Sequence, residues 1–394
     1  MQYIWGWLII LASVAGNAEF WVILVNRTHS FPIPHPLLRR FRTFHDLAIP
    51  GWGLLLLIWT ELSSNSLLRG GRLQDQPESL CWLIVMTGFW SGPLVWQVVV
   101  WQFVRYRQFY AADSRRVYDV GGEAGLDSTV VRGQPRRLAS WWPWNEYCHL
   151  EVNTKSLMVR SGRHRPARGS RTLRILHLSD LHFIGTPGLG YYQFMVQKAV
   201  EEPVDLILFT GDLIDDPALL GVAREILRPL TAHAPCFFIL GNHDWRYDLD
   251  QIRQGLISDG WRCVTGRSEI VVVAGQRILL AGTEFPWVTE SPPNVVNSGC
   301  DLTILLSHSP DQLRMARVLG YDLMLAGHTH GGQVVLPVIG PVYSPSLFGV
   351  SHAAGLFTGG PVALHVSRGL GGKDPLRWHC TPELTRLCVS VQDT

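Results

Sequence analysis

Charged residues are scarce in this chain of 394 residues, in which Asp, Glu, Lys and Arg together make up 17%. A typical soluble domain contains roughly a quarter. Because hydrophobic residues make up 47%, this scarcity excludes intrinsic disorder and indicates that part of the chain lies in lipid. The formal net charge of +2 is too small for a nucleic-acid-binding protein. We therefore expect no nucleic-acid partner.

The sequence also lacks paired cysteines. It has seven cysteines and no Cys-x-x-Cys spacing, which argues against a disulfide framework and a zinc ribbon. This usage favours a reducing compartment.

Long apolar runs and most of the 16 tryptophans lie in the first third of the chain. The three runs are Tyr3–Val25, Leu47–Leu62 and Leu80–Val104. The first and third are long enough to cross a bilayer. The second is short and contains Pro50 and Glu61, so it either spans or forms a re-entrant or interfacial helix. Buried helices of a soluble core are the alternative for all three, but tryptophans at the run ends favour a membrane.

Arginines predict how these runs are oriented. Several lie between the first and second runs, at positions 27, 39, 40 and 42, and Arg105 and Arg107 follow the third. The positive-inside rule places these segments in the cytoplasm. No Lys or Arg precedes the first run, so we interpret it as an anchor rather than a signal peptide. The sequence predicts an integral membrane protein whose C-terminal part faces the cytoplasm.

The composition divides the chain into three parts. We predict a transmembrane region over residues 1–104, a linker over 105–146 and a folded domain over 147–394. The linker is rich in Arg and Gly and shows little periodicity. It ends in Trp141, Trp142, Pro143 and Trp144. These rings either lie at the headgroup level and dock the next domain onto the membrane, or pack on that domain.

An α/β pattern begins near residue 147, where short apolar runs alternate with stretches long enough for helices. Five of these runs are followed by Asp, Asn or His. The runs are Leu173–Leu178, Leu206–Phe209, Cys236–Leu240, Leu302–Leu306 and Leu323–Ala326. Open α/β sheets bind their ligands at the carboxyl ends of strands, so we expect these polar side chains to share one site.

The polar side chains after the five runs indicate a metal site. A single His or Asp in such a loop is more often a cap or a hydrogen-bonding residue, but five such loops together form a coherent donor set. Carboxylate oxygens mixed with imidazole suit Mn, Fe or Zn, and the absence of thiolates argues against a structural zinc. Two divalent ions would bind both the attacking and the leaving oxygens in a phosphoryl displacement.

These loops resemble the calcineurin-like metallophosphoesterase family, whose signature is D-x-H, GDxxD, GNH[DE], H and GHxH in this order. The resemblance covers residues 147–394 and implies two packed mixed β-sheets flanked by helices, here preceded by an α-helical transmembrane region. It implies that the first metal binds Asp180, His182, Asp212 and His330. It implies that the second metal binds Asp212, Asn242, His308 and His328.

The resemblance also implies a proton donor. His243 would protonate the leaving oxygen, and Asp215 would orient its imidazole. Protein phosphatases of this superfamily have Asp-Arg-Gly at the second block, but here Asp216 and Pro217 follow Asp215. We interpret Asp216 as a helix N-cap with Pro217 at the first helical position. A protein-phosphatase activity is thereby disfavoured.

The last part of the chain resembles a membrane-associated branch of the family. That branch includes bacterial phosphodiesterases and the UDP-2,3-diacylglucosamine pyrophosphatases of lipid A biosynthesis. Arg368 and Lys373 lie in its Gly-rich segment, where they either contact a substrate phosphate or only form a turn. The resemblance implies a membrane-anchored hydrolase of a phosphodiester or pyrophosphate bond in a bacterial inner (cell) membrane, acting on a phosphorylated small molecule or a lipid. The alternatives are a phosphodiesterase for soluble nucleotides and a membrane scaffold with an inactive site.

Overall fold

A computed structural model describes residues 2–63, 65–123, 127–133, 142–161, 172–288 and 290–393. The chain divides into two compact units. The helical unit comprises Met1–Tyr106 and Pro337–Gly349, and the sheet unit comprises Arg107–Leu336 and Val350–Thr394. The segment Pro337–Gly349 therefore belongs with the N-terminal helices, although the residues on either side of it belong to the sheet unit.

Helices form over the three apolar runs, as predicted. The helices are α1 (Gln2–Thr28), α2 (His35–Leu62), α3 (Glu78–Phe89), α4 (Ser91–Val100) and, after a π-helical turn, α5 (Tyr106–Phe109). Two helical stretches, Tyr3–Thr28 and Glu78–Phe109, are long and apolar enough to cross a membrane. The run Leu47–Leu62 forms the second half of α2, which contains Pro50. That this run either spans the membrane or forms a re-entrant or interfacial helix stays a prediction.

Close packing and a few polar bonds join the first three helices. The hydroxyls of Ser13 and Thr87 lie 2.6 Å apart, and the Trp52 indole N–H donates to Ser13 at 3.2 Å. A Cβ added to Gly16 would lie 1.9 Å from the Thr87 carbonyl oxygen, so this glycine lets α1 approach α3. Small residues and interhelical hydroxyls are typical of helices that pack in lipid.

The sheet unit contains two mixed β-sheets. The first has the order β1-β2-β15-β3-β4-β5-β6, and the second has the order β13-β14-β10-β9-β8-β7. The first sheet consists of β1 (Ser114–Asp119), β2 (His149–Ser161), β3 (Leu173–Leu178), β4 (Leu206–Phe209), β5 (Cys236–Phe238), β6 (Arg262–Cys263) and β15 (Glu383–Asp393). The second consists of β7 (Ser268–Val273), β8 (Gln276–Thr283), β9 (Leu302–Ser307), β10 (Leu323–Ala326), β13 (Gly355–Phe357) and β14 (Ala363–Val366).

The remaining elements are short strands and flanking helices. They are β11 (Val335–Leu336), β12 (Gly340–Pro341), α6 (Ser128–Arg132), α7 (Leu189–Val200), α8 (Leu220–His233), α9 (Leu249–Ser258) and α10 (Leu313–Leu319). The predicted fold class, two packed mixed sheets flanked by helices, is confirmed. All five predicted apolar runs form strands, with β5 ending before the last two residues of its run.

Strand alternation builds a separate core on each side of the first sheet. In β4, Leu206 and Leu208 pack into the core between the two sheets. Ile207 and Phe209 pack into the core beneath α7, α8 and α9. Because successive side chains point to opposite faces of a strand, the continuous apolar run identifies a strand that is buried on both faces.

The stretch interpreted as a linker contains regular structure. Within residues 105–146, β1 pairs antiparallel with β2 from Ser114 with Thr154 to Asp119 with His149. The strand is an edge strand that carries exposed charges and no apolar run, which is why periodicity did not reveal it. Trp141 lies outside the described residues, and Trp142 and Trp144 are exposed. The division of the chain into the three predicted parts stays a prediction.

Candidate metal centre

The predicted site residues follow the carboxyl ends of five parallel strands. Asp180 and His182 come after β3, Asp212 and Asp215 after β4, and Asn242 and His243 after β5. In the second sheet His308 follows β9, and His328 and His330 follow β10. The loops after β3 and β4 continue to pair beyond the strands, because the amide of His182 donates to the Asp212 carbonyl at 3.0 Å. Two sheets thus contribute side chains to one place.

Five of the predicted metal ligands have a left-handed backbone. Their φ angles lie between 46° and 71° for Asp180, His182, Asp212, His328 and His330. Non-glycine residues rarely adopt this conformation, which costs of order 1–3 kcal/mol each and clusters at functional sites. The surrounding fold therefore holds these loops in a conformation that local sequence disfavours.

The first group of donor atoms comes from Asp180, His182, Asp212 and His330. These atoms all lie within 4.8 Å of one another. His182 donates through Nδ1 to Asp215 at 2.8 Å, which leaves its Nε2 lone pair directed 3.3 Å from Asp212 Oδ2 and 3.0 Å from His330 Nε2. A carboxylate on the second nitrogen is the usual partner of a metal-binding histidine.

The second group comes from Asp212, His308 and His328, which also lie within 4.8 Å. His308 Nδ1 donates to the Thr210 carbonyl at 2.8 Å, so the neutral ring presents a lone pair at Nε2. That nitrogen lies 3.0 Å from Asn242 Oδ1 and 3.3 Å from Asp212 Oδ2. A neutral imidazole in this position faces oxygen acceptors, and such a buried arrangement needs a proton or a metal ion between the facing atoms. The residues present therefore fit divalent metal ions, and Asp212 belongs to both groups.

The pKa shifts reflect this concentration of charge. Burial opposes ionisation of Asp212, but the imidazoles of His308, His243 and His182 outweigh it and hold the pKa of Asp212 well below its usual range. Burial would lower the pKa of His308, yet the Asp212 carboxylate raises that pKa to about 9. The site thus favours a positive charge beside Asp212.

His243 and Asp215 form the predicted pair. Nδ1 of His243 donates to Asp215 Oδ1 at 2.6 Å, while Oδ2 of the same carboxylate accepts from His182. Asp215 therefore orients two imidazoles. Burial lowers the pKa of His243 to about 4, and the carboxylates of Asp212 and Asp215 oppose this shift.

Two buried carboxylates hold these loops and were not among the predicted site residues. Asp244 accepts backbone N–H bonds from Gly241, Asp212, Leu213 and Ile214 at 2.9 to 3.2 Å. Glu284, which follows β8, accepts from the Leu240 amide at 2.9 Å and from the Trp245 indole at 3.1 Å. The signal for Glu284 was available, because it too is an acidic residue at the end of an apolar run.

The Gly-rich segment forms a turn against the ligands. Gly369 has φ +74°, and an added Cβ would lie 2.8 Å from Asp180 Cβ. Arg368 is 1% exposed and pairs with Glu151 and Glu383, so the suggestion that its guanidinium contacts substrate phosphate is wrong. A contact between Lys373 and phosphate stays a prediction. The expected N-cap is confirmed, because Asp216 accepts from the Ala218 amide beside Pro217.

A second buried arginine, Arg377, was not predicted. It donates to the carbonyls of His330 and Arg368 at 2.9 and 2.6 Å, and its Nη2 lies 3.0 Å from His330 Nδ1. It therefore joins the His330 loop to the Gly-rich turn.

The chain is similar to known proteins. The family described as calcineurin-like phosphoesterase matches residues 173–332. Phosphodiesterase YaeI of Escherichia coli (strain K12) is 31% identical over 233 residues, which cover 57% of this chain and 86% of that protein. The metallophosphoesterase YkuE of Bacillus subtilis (strain 168) is 30% identical over 221 residues, which cover 54% of this chain and 77% of that protein.

A third relative is named as a pyrophosphatase. UDP-2,3-diacylglucosamine pyrophosphatase LpxG of Chlamydia muridarum is 24% identical over 302 residues, which cover 62% of this chain and 91% of that protein. Together with the matched family and the grouped Asp and His side chains, these likenesses identify the chain as a hydrolase. The chain belongs to the calcineurin-like phosphoesterase family.

Proposed function

We propose that the chain is a membrane-anchored, two-metal hydrolase of a phosphodiester or pyrophosphate bond in a lipid-linked substrate such as UDP-2,3-diacylglucosamine. The observation that carries the hydrolytic part is the pair of donor groups that share Asp212. The lipid part is supported by the two long apolar helices in the same chain and by the likeness to LpxG.

The chain's own side chains supply two binding sets. The first set is Asp180, His182, Asp212 and His330, and the second is Asp212, Asn242, His308 and His328. Bound divalent ions, of Mn, Fe or Zn, would polarise the phosphoryl oxygens and lower the pKa of a bound water. The protein's part is to hold the donors in fixed positions, which the hydrogen bonds from His182 to Asp215 and from His308 to Thr210 accomplish.

His243 is proposed to give a proton to the leaving oxygen from Nε2, a step that uses the imidazolium form of the ring. Burial lowers the pKa of His243, and the carboxylates of Asp212 and Asp215 oppose this shift and so favour that form. Its Nδ1 is held by Asp215, which fixes the ring orientation. The side chain is 15% exposed, so Nε2 can reach a substrate while the rest of the ring stays enclosed. General acids of this kind contribute about 10²- to 10⁴-fold to the rate.

The proposed location is a bacterial inner membrane with the sheet unit in the cytoplasm. Arginines flank the apolar helices on one side, at positions 27, 39, 40, 42, 105 and 107. Protease added outside intact cells should then spare the sheet unit, whereas protease added to inside-out vesicles should cleave it. Cleavage from the outside of intact cells would contradict the orientation.

The substrate class is tested with the full chain reconstituted in phospholipid vesicles, in a buffer that contains Mn²⁺. We expect hydrolysis of a soluble aryl phosphodiester and of UDP-2,3-diacylglucosamine in the bilayer. Adding inert phospholipid should slow hydrolysis of the lipid substrate only. The rate of encounter between this substrate and an anchored enzyme depends on the substrate's mole fraction in the membrane. Turnover of soluble nucleotides without turnover of the lipid would favour the soluble-nucleotide alternative. No turnover of any of these substrates by metal-loaded protein would favour an inactive scaffold.

A further inference from the structure

The segment Pro337–Gly349, here called the clamped segment, lies with the apolar helices in the helical unit. Its sequence, PVIGPVYSPSLFG, contains no charged residue. It begins shortly after the loop that carries His328 and His330. Surface loops of soluble domains are usually polar, so a charge-free loop in this place needs a physical reason.

Side-chain amides from two apolar helical stretches hold the backbone of the clamped segment. Gln102 donates to the Val338 carbonyl at 2.8 Å, and Gln97 donates to the Pro341 carbonyl at 3.1 Å. Asn26 of α1 donates to the Val342 carbonyl at 3.3 Å and accepts from the Ser344 amide at 2.9 Å. Asn26 is 2% exposed.

These hydrogen bonds supply what a non-helical backbone needs when it lies within a membrane. Such backbone is tolerated only where protein groups satisfy its N–H and C=O groups, because hydrocarbon offers no hydrogen bonds. A loop in water would not need three amide side chains for this purpose. The amides are themselves costly on apolar helices unless they are bonded, so each bond satisfies a polar group on both sides.

The surface of the clamped segment is apolar where it is exposed. Val338 is 60% exposed and has φ +71°, a strained angle for a β-branched residue. Phe103, the residue after Gln102, is 76% exposed. The backbone of Gly340 packs directly against the Trp101 ring. A Cβ added to this glycine would come within 2.4 Å of the indole.

We propose that the clamped segment inserts into the boundary between headgroups and acyl chains of a phospholipid bilayer, with Val338 in contact with lipid. The proposal rests on the membrane anchoring given under the proposed function. It adds a lipid contact from a part of the chain far beyond the N-terminal helices. It also places lipid next in sequence to the loop of His328 and His330, which suits a substrate that is itself a lipid.

The test uses the full chain with a nitroxide spin label in vesicles of phosphatidylethanolamine and phosphatidylglycerol. Cys81 and Cys388, the partly exposed cysteines, are first replaced by serine. Labels are then placed by Val338→Cys, Leu11→Cys and Val318→Cys, at side chains that are 60%, 58% and 71% exposed. Leu11 lies in α1 and reports the anchor, whereas Val318 lies in α10 and reports a water-exposed surface.

Collision with oxygen, which concentrates in lipid, is compared with collision with a water-soluble nickel chelate. We expect the labels at 338 and 11 to be accessible to oxygen and protected from nickel, and the label at 318 to show the reverse. If 338 behaves like 318 while 11 is protected, the clamped segment is not in lipid and the anchoring stands. If 11 also behaves like 318, the anchoring in the proposed function fails as well.

Displacing the segment gives a second readout. Gly340→Ala should push the segment off Trp101 and raise the nickel accessibility of a label at 338, with Gly349→Ala, where an added Cβ meets open space, as the comparison. Equal accessibility in both variants would contradict the packing on which the insertion depends.

Discussion

Asp212 connects the two donor groups. One of its oxygens lies 3.3 Å from the Nε2 atoms of both His182 and His308, and the other accepts from the His243 amide at 2.8 Å. The carboxylate therefore faces both donor groups and also positions the backbone of His243, the proposed proton donor. No neutral side chain can supply the same charge to two cations.

Replacing Asp212 by Asn should abolish turnover and lower the metal content of the purified protein. The change keeps the shape of the side chain and removes the charge that both cations need. Metal content is measured by mass spectrometry, and rate with an aryl phosphodiester. Asp216→Asn is the matched control, because asparagine also serves as an N-cap. Normal metal content and a near-normal rate in the Asp212 variant would contradict the shared-ligand assignment.

His243→Ala should retain both metals and lose rate by about 10²- to 10⁴-fold on substrates with poor leaving groups. The loss of rate should be smaller for nitrophenyl phosphodiesters, because nitrophenolate is a good leaving group and needs no proton. The check is the slope of rate against leaving-group pKa for wild type and variant. His243 is not the proton donor if aryl and alkyl leaving groups suffer equally.

The turns after the strands decide where these side chains point. The Gly-rich turn after β14 packs directly on the loop after β3, and Gly369 leaves room for Asp180. Ordinary residues at such a left-handed position cost about 1–2 kcal/mol. The turn thus packs against the candidate metal centre without belonging to either donor group.

Gly369→Ala should weaken metal binding and lower the melting temperature. The new Cβ would lie 2.8 Å from Asp180 Cβ, which must shift. For a domain of this size, each kcal/mol lost lowers the melting temperature by about 2–4 °C. Gly359→Ala is the control, because an added Cβ there meets nothing within 4 Å. Metal titration followed by thermal unfolding provides the measurement, and equal behaviour of the two variants would refute the steric argument.

A buried chain of hydrogen bonds joins both sheets to the metal centre. Ser179 donates to Asp180 at 2.6 Å and contacts Thr210, whose hydroxyl contacts His177. From there the chain runs through His365 of β14 to Lys155, which is 3.0 Å from Glu383. Burial lowers the pKa of Lys155, and Glu383 opposes this shift. The two sheets therefore share a polar network inside an apolar core.

Lys155→Met should destabilise the sheet unit by roughly 3–5 kcal/mol, because it removes one partner of a buried ionic cluster. Metal content at saturating metal should remain, since no ligand is lost. Thermal unfolding in detergent measures the effect. Arg228→Met, at a 68% exposed side chain 3.7 Å from Asp259, should change stability by about 0.5 kcal/mol or less. A comparably small effect for Lys155 would show that the cluster does not stabilise the fold.

Local pattern was sufficient for most of the candidate site. The strands β3, β4 and β10 coincide with apolar runs in the sequence, and the polar residues after them are the ones that the structure brings together. Alternation, strand ends and helix caps depend on neighbours within a few positions, so these features can be inferred without knowledge of the fold. The apolar helices followed from run length for the same reason.

Tertiary structure alone decided the features that depend on distant partners. Arg368 is a buried ion-pair residue because Glu151, 217 positions away, reaches it, and no local pattern indicates this. The strand β1 exists because β2 offers a free edge, not because its own charged sequence favours a strand. The clamped segment joins the helices because Asn26, Gln97 and Gln102 bind its backbone. Burial and hydrogen-bond partners are properties of the folded chain, and these determine what each of these residues does.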